Sequence, residues 1–479
     1  MSVLDVGGFR VHIGNVRRRR DYPKILDRFT VKHVQQISKK RCTTHLTKLY
    51  FVSGDWVWIA RFAALKYWPN PRVVIPDPQL LPIDREILLE LRKHQQVVAE
   101  YLIKEVYNPC KQVRGSAGCV LKMKAGSGKS YLAAELIHRL GYKTLILIPP
   151  NGNNSRQFCE VLEKIFPTLS VVEYNGSSKK DGDIVIMLVS SALDTKYFGL
   201  STYEYFSKFG LVIYDEIHGF PSPKRGKVFW RTNTRCVFGM TATPDLRRDG
   251  MDPVYKAHIG PLIDAETIPG FTMEDAEFNG RVEAVMYYGP KEYTKHLTNP
   301  STGLMCSASM EKQFMADPHR NKIIVDRVCE LAPTGRNIFI MTNLRDHIDI
   351  LADLLDERKV AAVAPERKNT VVGKLRGQMA IEDIREACET AQIILITYKY
   401  GKESLSLDRF DTIIFASPRR SFMEQIVGRI ERLGGDQSVE RIVIDIVDAK
   451  TGKRGSFDDR RDTYKAKGYK IQYITHKIQ

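Results

Sequence analysis

Short apolar runs alternate with amphipathic stretches from about residue 86 onward. The runs are bounded by turn-forming residues, and this pattern is typical of buried parallel strands in an α/β domain. The first set lies at 118–123, 144–149, 183–189, 211–216 and 236–243. The second set lies at 281–288, 337–342, 392–397, 411–417 and 441–448. The pattern predicts two consecutive α/β domains with parallel sheets.

The chain is too long for a single hydrophobic core, and we predict five parts. They are a small basic and aromatic N-terminal module (1–85), a first α/β domain (86–262), a linker (263–280), a second α/β domain (281–450) and a basic C-terminal extension (451–479). A proline-rich stretch closes the N-terminal module and is typical of a linker.

Positive charge is concentrated at the two ends of the chain. The net charge is +17, of which residues 1–50 hold 12 Lys/Arg against 3 Asp and residues 450–479 hold 9 against 3. Basic ends on a near-neutral body suit a nucleic-acid backbone, although a solvated face chosen for solubility gives the same pattern. The candidate phosphate contacts are Arg17, Arg18, Arg19 and Arg20.

Neither a membrane segment nor a disulfide scaffold is predicted. No apolar run approaches the ~20 residues of a membrane helix, and the first residues lack the apolar core of a signal peptide. The eight cysteines are scattered, without a C-x-x-C pair or zinc-site spacing. We therefore expect free thiols and an intracellular, reducing compartment.

A glycine-rich loop lies between a predicted strand and a predicted helix. It contains Gly126, Ser127, Gly128, Lys129 and Ser130. Glycines allow backbone N–H groups to surround phosphates, and a helix N-terminus favours negative charge. Lys129 would reach the β- and γ-phosphates, and the Ser130 hydroxyl would ligate magnesium. The alternative is a Gly/Ser turn that only caps the helix.

A second candidate is the apolar run 211–214, which is followed by two acids. Asp215 at a strand end can hold magnesium, and Glu216 can polarise the attacking water. His218 could sense the γ-phosphate, although a lone histidine is more often a surface residue. Acidic strand ends are common by chance. An acidic strand end at this distance after a glycine-rich loop is much less common.

A third candidate is a helical segment with three polar residues on one face. Gln425, Arg429 and Arg432 are spaced i, i+4 and i+7. A charged surface helix explains this spacing equally well. Two arginines directed at a phosphoryl group would offset the charge that develops during its transfer.

Taken in order, these segments resemble the superfamily 2 helicases of the DExH type over residues 90–450. The resemblance makes Arg92 and Gln95 adenine contacts, and it makes Thr241 and Thr243 part of a motif that couples hydrolysis to strand movement. It implies two tandem RecA-like domains, ATP and magnesium as cofactors, and a nucleic-acid partner.

A closer resemblance follows from three further segments. Residues 241–244, 247–250 and 260–261 are similar to the branch that holds excision-repair and branch-migration helicases, which act on duplex DNA. The chain length, the basic first module and residues 209–223 look most like the transcript-release helicases of poxviruses and asfarviruses. The resemblance implies a DNA helicase or translocase in viral transcription termination. It also implies contact with transcription machinery and a location in the host cytoplasm and the virion.

The chain departs from the family pattern at three places. Met123 replaces the usual small first residue of the phosphate loop. Ser404 and Ser406 stand where motif V has Gly and Asp, which puts direct nucleotide contacts there in doubt. The DNA-contacting motif after the second strand is matched only through Gln157.

Several alternatives stay open at this stage. Trp56 and Trp58 could stack on bases or belong to a small core. The same motor could act on RNA. A non-catalytic nucleic-acid-binding subunit with a vestigial ATP site is a different class of protein, and the intact Lys129, Asp215 and Glu216 argue against it.

Overall fold

The structure is a computed structural model of the full chain. It describes all residues except 1, 6, 18–25, 39–40, 109–115, 125, 150–153, 176–177, 233, 243, 245–249, 273–278, 360–371, 376–378, 380, 399–408, 420–422, 429, 432–435, 437, 452 and 478–479. Two compact units divide the chain. The first holds Met1–Gln36 and Cys42–Glu274, and the second holds Ile37–Arg41 and Asp275–Gln479.

The N-terminal residues form a small sheet and a separate hairpin. The strands are β1 (Ser2–Asp5), β2 (Gly8–His12), β3 (Thr30–Ser38), β4 (Arg41–Lys48), β5 (Tyr50–Ser53), β6 (Trp56–Ile59) and β7 (Arg72–Val73). The sheet has the order β5-β6-β2-β1-β7, whereas β3 pairs only with β4. Two short helices, Ile13–Arg17 and Arg61–Leu65, accompany them.

The N-terminal module shares a hydrophobic core with the first α/β domain. One continuous cluster joins Phe9 and Ile59 of the module to Leu145 and Val212 of the domain. The guanidinium of Arg61 is buried and donates a hydrogen bond to the carbonyl of Thr234 at 2.5 Å. Burial lowers the pKa of Arg61 to about 10. The module is therefore packed onto the domain, where the sequence had indicated a separate body.

The first α/β domain contains a seven-stranded parallel sheet. Its strands are β8 (Ala117–Lys122), β9 (Thr144–Ile148), β10 (Val171–Tyr174), β11 (Ile184–Leu188), β14 (Leu211–Tyr214), β15 (Cys236–Thr241) and β16 (Leu262–Asp264). A small hairpin of β12 (Lys196–Tyr197) and β13 (Leu200–Ser201) lies outside this sheet. The order is β10-β11-β9-β14-β15-β8-β16.

Both faces of this sheet are covered. Successive residues of β9 alternate between two core clusters, since Leu145 and Leu147 belong to one and Ile146 and Ile148 to the other. Near-continuous apolar strands follow from this two-sided burial. The helices of the domain are Lys93–Tyr101, Lys129–Leu140, Asn154–Ile165, Thr202–Phe206 and Asp252–Ile259, with a π-helical turn at Leu102–Val106 and 3-10 turns at Ser191–Leu193, Ile217–Gly219, Arg225–Trp230 and Ala265–Thr267.

The second unit contains a sheet of the same size and order. Its strands are β17 (Gly280–Tyr288), β18 (Ile338–Thr342), β19 (Val372–Leu375), β20 (Ile393–Thr397), β21 (Thr412–Phe415), β22 (Arg441–Asp448) and β23 (Lys470–Lys477). All pairs are parallel, and the order is β19-β20-β18-β21-β22-β17-β23. Numbered along the chain, each seven-stranded sheet reads 3-4-2-5-6-1-7, so the two domains repeat one topology.

The helices of the second unit pack on both faces of its sheet. They are Ser307–Ala316, Pro318–Leu331, Arg345–Glu357, Ile381–Thr390, Met423–Val427 and Gly455–Ala466, with a 3-10 turn at Ala332–Thr334. Two buried ion pairs join helices to strand β22. The Arg320 Nε lies 2.9 Å from the Asp448 carboxylate, and the Arg460 Nε lies 2.7 Å from the Asp445 carboxylate.

The fold class predicted from the sequence is confirmed, since all ten apolar runs are strands of two parallel sheets. Among the described strands of these two sheets, four have no predicted counterpart, namely β10, β16, β19 and β23. Each lies near or at a sheet edge and is short or largely exposed, so it lacks a continuous apolar run. Strand β23 pairs with β17 along its whole length, so part of the predicted C-terminal extension belongs to the second sheet.

Two further sequence expectations concern membranes and thiols. Among the described helices, none combines the length and the apolar character needed to cross a bilayer. The cysteines within the described part of the chain are all free thiols.

Candidate active site

Three strand ends of the first sheet lie side by side. Strand β15 pairs with β8 on one side and with β14 on the other. Thr241 at the end of β15 is opposite Lys122, which precedes the glycine-rich loop. Tyr214, which precedes the acidic pair, is opposite Gly239. Because the strands are parallel, the glycine-rich loop, the acids and Thr241 lie at one edge of the sheet.

Two left-handed glycines shape the loop. Gly126 has φ +80° and Gly128 has φ +81°, a region that L-residues rarely adopt. Gly128 is the residue before the helix Lys129–Leu140, and its carbonyl accepts the first helical hydrogen bonds. The Ser127 hydroxyl donates a 2.6 Å hydrogen bond to the carbonyl of Lys124 and so closes the turn. The arrangement directs a helix N-terminus at the space beside the loop.

Gln95 supports the glycine-rich loop through hydrogen bonds to its backbone. Its Nε2 donates to the carbonyls of Ser127 at 3.0 Å and Gly128 at 3.3 Å, and its Oε1 accepts from the backbone N–H of Arg92 at 2.8 Å. His94 Nε2 lies 3.2 Å from the same Ser127 carbonyl. Both amide N–H donors of Gln95 are thus engaged with the loop, and only its oxygen keeps a free lone pair.

Met123 is a core residue and leaves the loop open. Its side chain is 2% exposed and packs in the cluster below the loop, and its N–H donates to the carbonyl of Thr241 at 3.1 Å. The Met123 carbonyl lies 3.3 Å from the ammonium of Lys129, which also lies 3.4 Å from the carbonyl of Lys124. Met123 therefore replaces the small residue that the family has at this position, and its side chain is buried in the core and does not enter the space where phosphates would bind.

The acidic pair follows β14 in a strained turn. Asp215 extends the ladder by donating its N–H to the carbonyl of Leu147 at 2.9 Å. Glu216 has φ +45°, which is unusual for a residue with a side chain and marks stored backbone strain. Desolvation, and secondarily the charge of Glu216, raises the pKa of Asp215 to about 7, while Lys129 acts in the opposite direction.

His218 connects the acidic pair to the third strand end. Its Nδ1 lies 2.9 Å from the Thr241 hydroxyl and 3.2 Å from the Glu216 carboxylate, and the side chain is 7% exposed. Gly239 beneath this turn has no room for a side chain, since a Cβ there would lie 2.7 Å from Ile217. Thr241, His218 and Glu216 form one connected polar group.

The described part of the chain brings most of the predicted nucleotide-site residues together. Gln95, Lys129, Asp215, Glu216, His218 and Thr241 make the contacts given above, and Ser130 lies in the first turn of the helix that begins at Lys129. Arg92 precedes the helix Lys93–Tyr101. Gln157 and Gln425 lie in the helices Asn154–Ile165 and Met423–Val427, but their side chains are outside the described part. Thr243, Arg429 and Arg432 lie outside the described residues, as do Arg18, Arg19 and Arg20.

The two candidate stacking tryptophans are engaged within the N-terminal module. The Trp58 ring stacks on Phe51 with centroids 5.8 Å apart, and the Arg10 guanidinium lies 5.0 Å from the Trp56 ring and 5.3 Å from the Trp58 ring. Arg17 ends a short helix and is exposed. Both tryptophans are half-buried, and their rings have partners within the module.

Sequence reasoning missed a polar cluster at the ends of β18 and β21. The Thr342 hydroxyl lies 2.9 Å from His347 Nδ1 and 3.0 Å from the Ser417 hydroxyl, which also accepts from the N–H of Asn343 at 3.2 Å. Arg419 donates to the Asn343 side chain at 3.3 Å. The sequence could have indicated this cluster, because polar residues directly follow the apolar strands β18 and β21.

Two RecA-like domains in tandem, the first with a phosphate loop beside an acidic strand end, define an ATP-hydrolysing helicase of superfamily 2. The family described as "Type III restriction enzyme, res subunit" matches residues 88–246. A structure of S. cerevisiae Dbp5 bound to RNA and ADP BeF3 has a TM-score of 0.50 and 12% identity, and the match covers 81% of this chain and 94% of that chain. At this identity the likeness concerns the fold alone.

Viral relatives define the family. African swine fever virus QP509L, named as a candidate ATP-dependent RNA helicase, is 31% identical over 401 residues, which span 80% of this chain and 74% of that protein. Transcript termination protein A18 of fowlpox virus is 25% identical over 413 residues, spanning 80% and 79%. The chain belongs to the superfamily 2 helicases of large DNA viruses that include these proteins.

Gly128→Ala should weaken both folding and nucleotide binding more than Gly126→Ala. Both changes place an L-residue in a left-handed conformation, which costs roughly 1–2 kcal/mol. A Cβ on Gly128 would also lie 2.1 Å from Gln95 Nε2, whereas one on Gly126 meets nothing within 4 Å. Thermal melting and binding of a fluorescent ADP analogue measure the difference. Adding Gln95→Ala should recover part of the loss in melting temperature of Gly128→Ala, because it removes the close contact. Equal melting temperatures of the two glycine variants would contradict that contact.

Asp215→Asn should stabilise the nucleotide-free chain increasingly as pH rises. The raised pKa means that the folded wild type holds a proton that the unfolded chain has lost, so its stability falls from the ordinary pKa of 3.8 up to about 7 and then levels off. The asparagine variant lacks this dependence. Melting temperatures across that pH range test the sign, with Asp27→Asn, an exposed carboxylate of the same unit, as the control. A difference that shrinks with rising pH would show that the Asp215 pKa is not raised.

Proposed function

We propose that the chain is an ATP-dependent DNA helicase or translocase that serves transcript release during viral transcription. The observation that carries the proposal is the alignment of the phosphate loop, Asp215 and Thr241 at one edge of the first parallel sheet. The similarity to fowlpox transcript termination protein A18 supports the role in transcript release. The resemblance of the residues after β15 to helicases that act on duplex DNA supports DNA as the track. Work in the host cytoplasm, beside transcription machinery, follows from such a role.

The ATP site takes its groups from the described first domain. Lys129 leaves the loop carbonyls and binds the β- and γ-phosphates, and the N–H groups of Gly126 to Ser130 surround them. Arg92 and Gln95 contact the adenine. Gln95 has one oxygen lone pair left for an amino group, because both of its N–H donors already hold the loop.

The acids fit a divalent cation. Asp215 and Glu216 place two neighbouring carboxylates in a largely buried position, and their mutual repulsion helps to raise the pKa of Asp215. Ser130 and Asp215 would hold the magnesium ion that accompanies ATP, and this ion would neutralise charge on the phosphates. Glu216 accepts a proton from the attacking water.

ATP hydrolysis is coupled to movement along the nucleic acid through the connected polar group of Glu216, His218 and Thr241. His218 touches both Glu216 and Thr241, so a shift of the segment after β15 changes the position of the general base. Thr243 belongs to the same coupling segment. From the second domain, Gln425, Arg429 and Arg432 stabilise the charge that develops on the transferred phosphoryl group.

RNA is the second candidate track. The relatives named for RNA, QP509L in African swine fever virus and L396 in mimivirus, favour it; L396 is 25% identical over 444 residues. A DNA helicase and an RNA helicase would use the same ATP site, so the geometry of that site does not distinguish the two functions.

ATPase rates across a panel of nucleic acids decide between the tracks. We expect duplex or single-stranded DNA to stimulate turnover more strongly than RNA of the same length and sequence. The basal rate without nucleic acid is the reference. Strong stimulation by RNA alone would replace DNA with RNA, and no stimulation by any nucleic acid would overturn the proposed motor.

Glu216→Gln should bind ATP but turn it over very slowly, because the amide cannot accept the proton of the attacking water. Nucleotide binding by a fluorescent analogue and single-turnover hydrolysis separate the two effects. Glu204→Gln, an exposed acid of the same unit, is the matched control. Hydrolysis at the wild-type rate in Glu216→Gln would show that another group acts as the base.

A further inference from the structure

The hairpin of β3 and β4 has an unusual charge. We call the two strands β3 (Thr30–Ser38) and β4 (Arg41–Lys48) the basic arm. These strands contain three Lys/Arg and two His, and they contain neither Asp nor Glu. A solvated protein surface normally intersperses charges of both signs. A segment of one sign is suited to a polyanion.

Strand β4 of the basic arm is exposed on both of its faces. Thr44, His45 and Leu46 are consecutive and all exposed, although neighbouring side chains of a strand point to opposite sides. Leu46 is 59% exposed. A ribbon of two strands is marginally stable on its own. This part of β4 therefore does not line the core, and its side chains are available to a ligand.

The base of the basic arm is buried. Phe29, Val31 and Leu49 belong to the hydrophobic cluster that the N-terminal module shares with the first α/β domain. The exposed Lys32 and Lys48 flank this base, and neither forms an ion pair with a carboxylate among the described residues. Lys48 lies 5.7 Å from the centre of the Tyr50 ring, which restrains its direction. Both lysines thus extend from a buried base, and no carboxylate among the described residues pairs with either ammonium group.

The base also contacts the segment that follows β15. The Thr47 hydroxyl lies 3.7 Å from the sulfur of Met251, which is 2% exposed, and Gly250 faces the carbonyl of Lys32. This segment leaves the strand whose last residue is Thr241. The base of the basic arm and the ATP site therefore belong to one compact unit.

From these observations we infer that the basic arm binds the phosphodiester backbone of the nucleic-acid track, with Lys32 and Lys48 as contacts. The inference rests on the proposed function and names two exposed lysines of the first unit as contacts to the track. The tryptophans of the same module already contact Phe51 and Arg10. Contacts to phosphate alone make the binding sequence-tolerant and salt-sensitive.

The test uses the full chain with Lys32→Gln and Lys48→Gln combined. Affinity for labelled duplex DNA, single-stranded DNA and duplex RNA is measured by fluorescence anisotropy over a series of salt concentrations. The slope of log affinity against log salt should become shallower by about 2, or about 1 for each lysine that no longer binds a phosphate. The decrease should be similar for different base sequences. Basal ATPase without nucleic acid should stay at the wild-type rate.

The control combines Lys66→Gln and Lys104→Gln, two exposed lysines of the same unit that lie off the basic arm. It removes the same charge and should keep the wild-type slope. An unchanged slope in the basic-arm variant, or an equal decrease in the control, overturns the inference. If wild type itself shows no salt-sensitive binding to DNA or RNA, the proposed function fails first. Comparing the three ligands shows whether the track is DNA or RNA.

Discussion

The parallel pairing of β8, β15 and β14 is the constraint on which the candidate active site depends. Hydrogen bonds between these strands set the relative height of Lys122, Thr241 and Tyr214, and each is followed within a few residues by a polar segment. A slip of one register position would turn every side chain to the opposite face and would separate the loop from the acids. The apolar side chains on both faces oppose such a slip, because they would exchange one core cluster for the other.

The same site carries unfavourable features that the surrounding core maintains. Glu216 and two loop glycines occupy left-handed backbone conformations, and Asp215 is desolvated beside a second carboxylate. Strain and desolvation of this kind persist only where neighbouring structure holds them. Here Gln95 supports the loop and the His218–Thr241 contact supports the acidic turn. The site is thereby prepared for the phosphates of a nucleotide before they bind, at some expense in stability.

One topology serves both α/β domains, and the N-terminal module is added to only one of them. The order 3-4-2-5-6-1-7 occurs twice, and the last strand of each sheet lies beside the first. Strand β23, which comes from the basic C-terminal region, is the counterpart of β16. The N-terminal module extends one core cluster of the first domain, and the basic arm projects from that shared core. In a family of motors that hydrolyse ATP, this places a positively charged element on the domain that carries the phosphate loop.

The amino-acid sequence by itself determined the parts of this protein that rest on local pattern. Ten apolar runs specified ten parallel strands, because a strand buried on both faces must be apolar throughout. The glycine-rich loop and the acids were recognisable since their chemistry depends on adjacent residues. Tertiary structure alone decided the roles of residues whose partners are distant in the chain. Gln95 contacts Ser127, Arg61 contacts Thr234, and Met123 is buried below the loop that it begins. It also decided that Trp58 stacks on Phe51 and that Thr44, His45 and Leu46 are exposed, because composition does not show which side of a strand meets water.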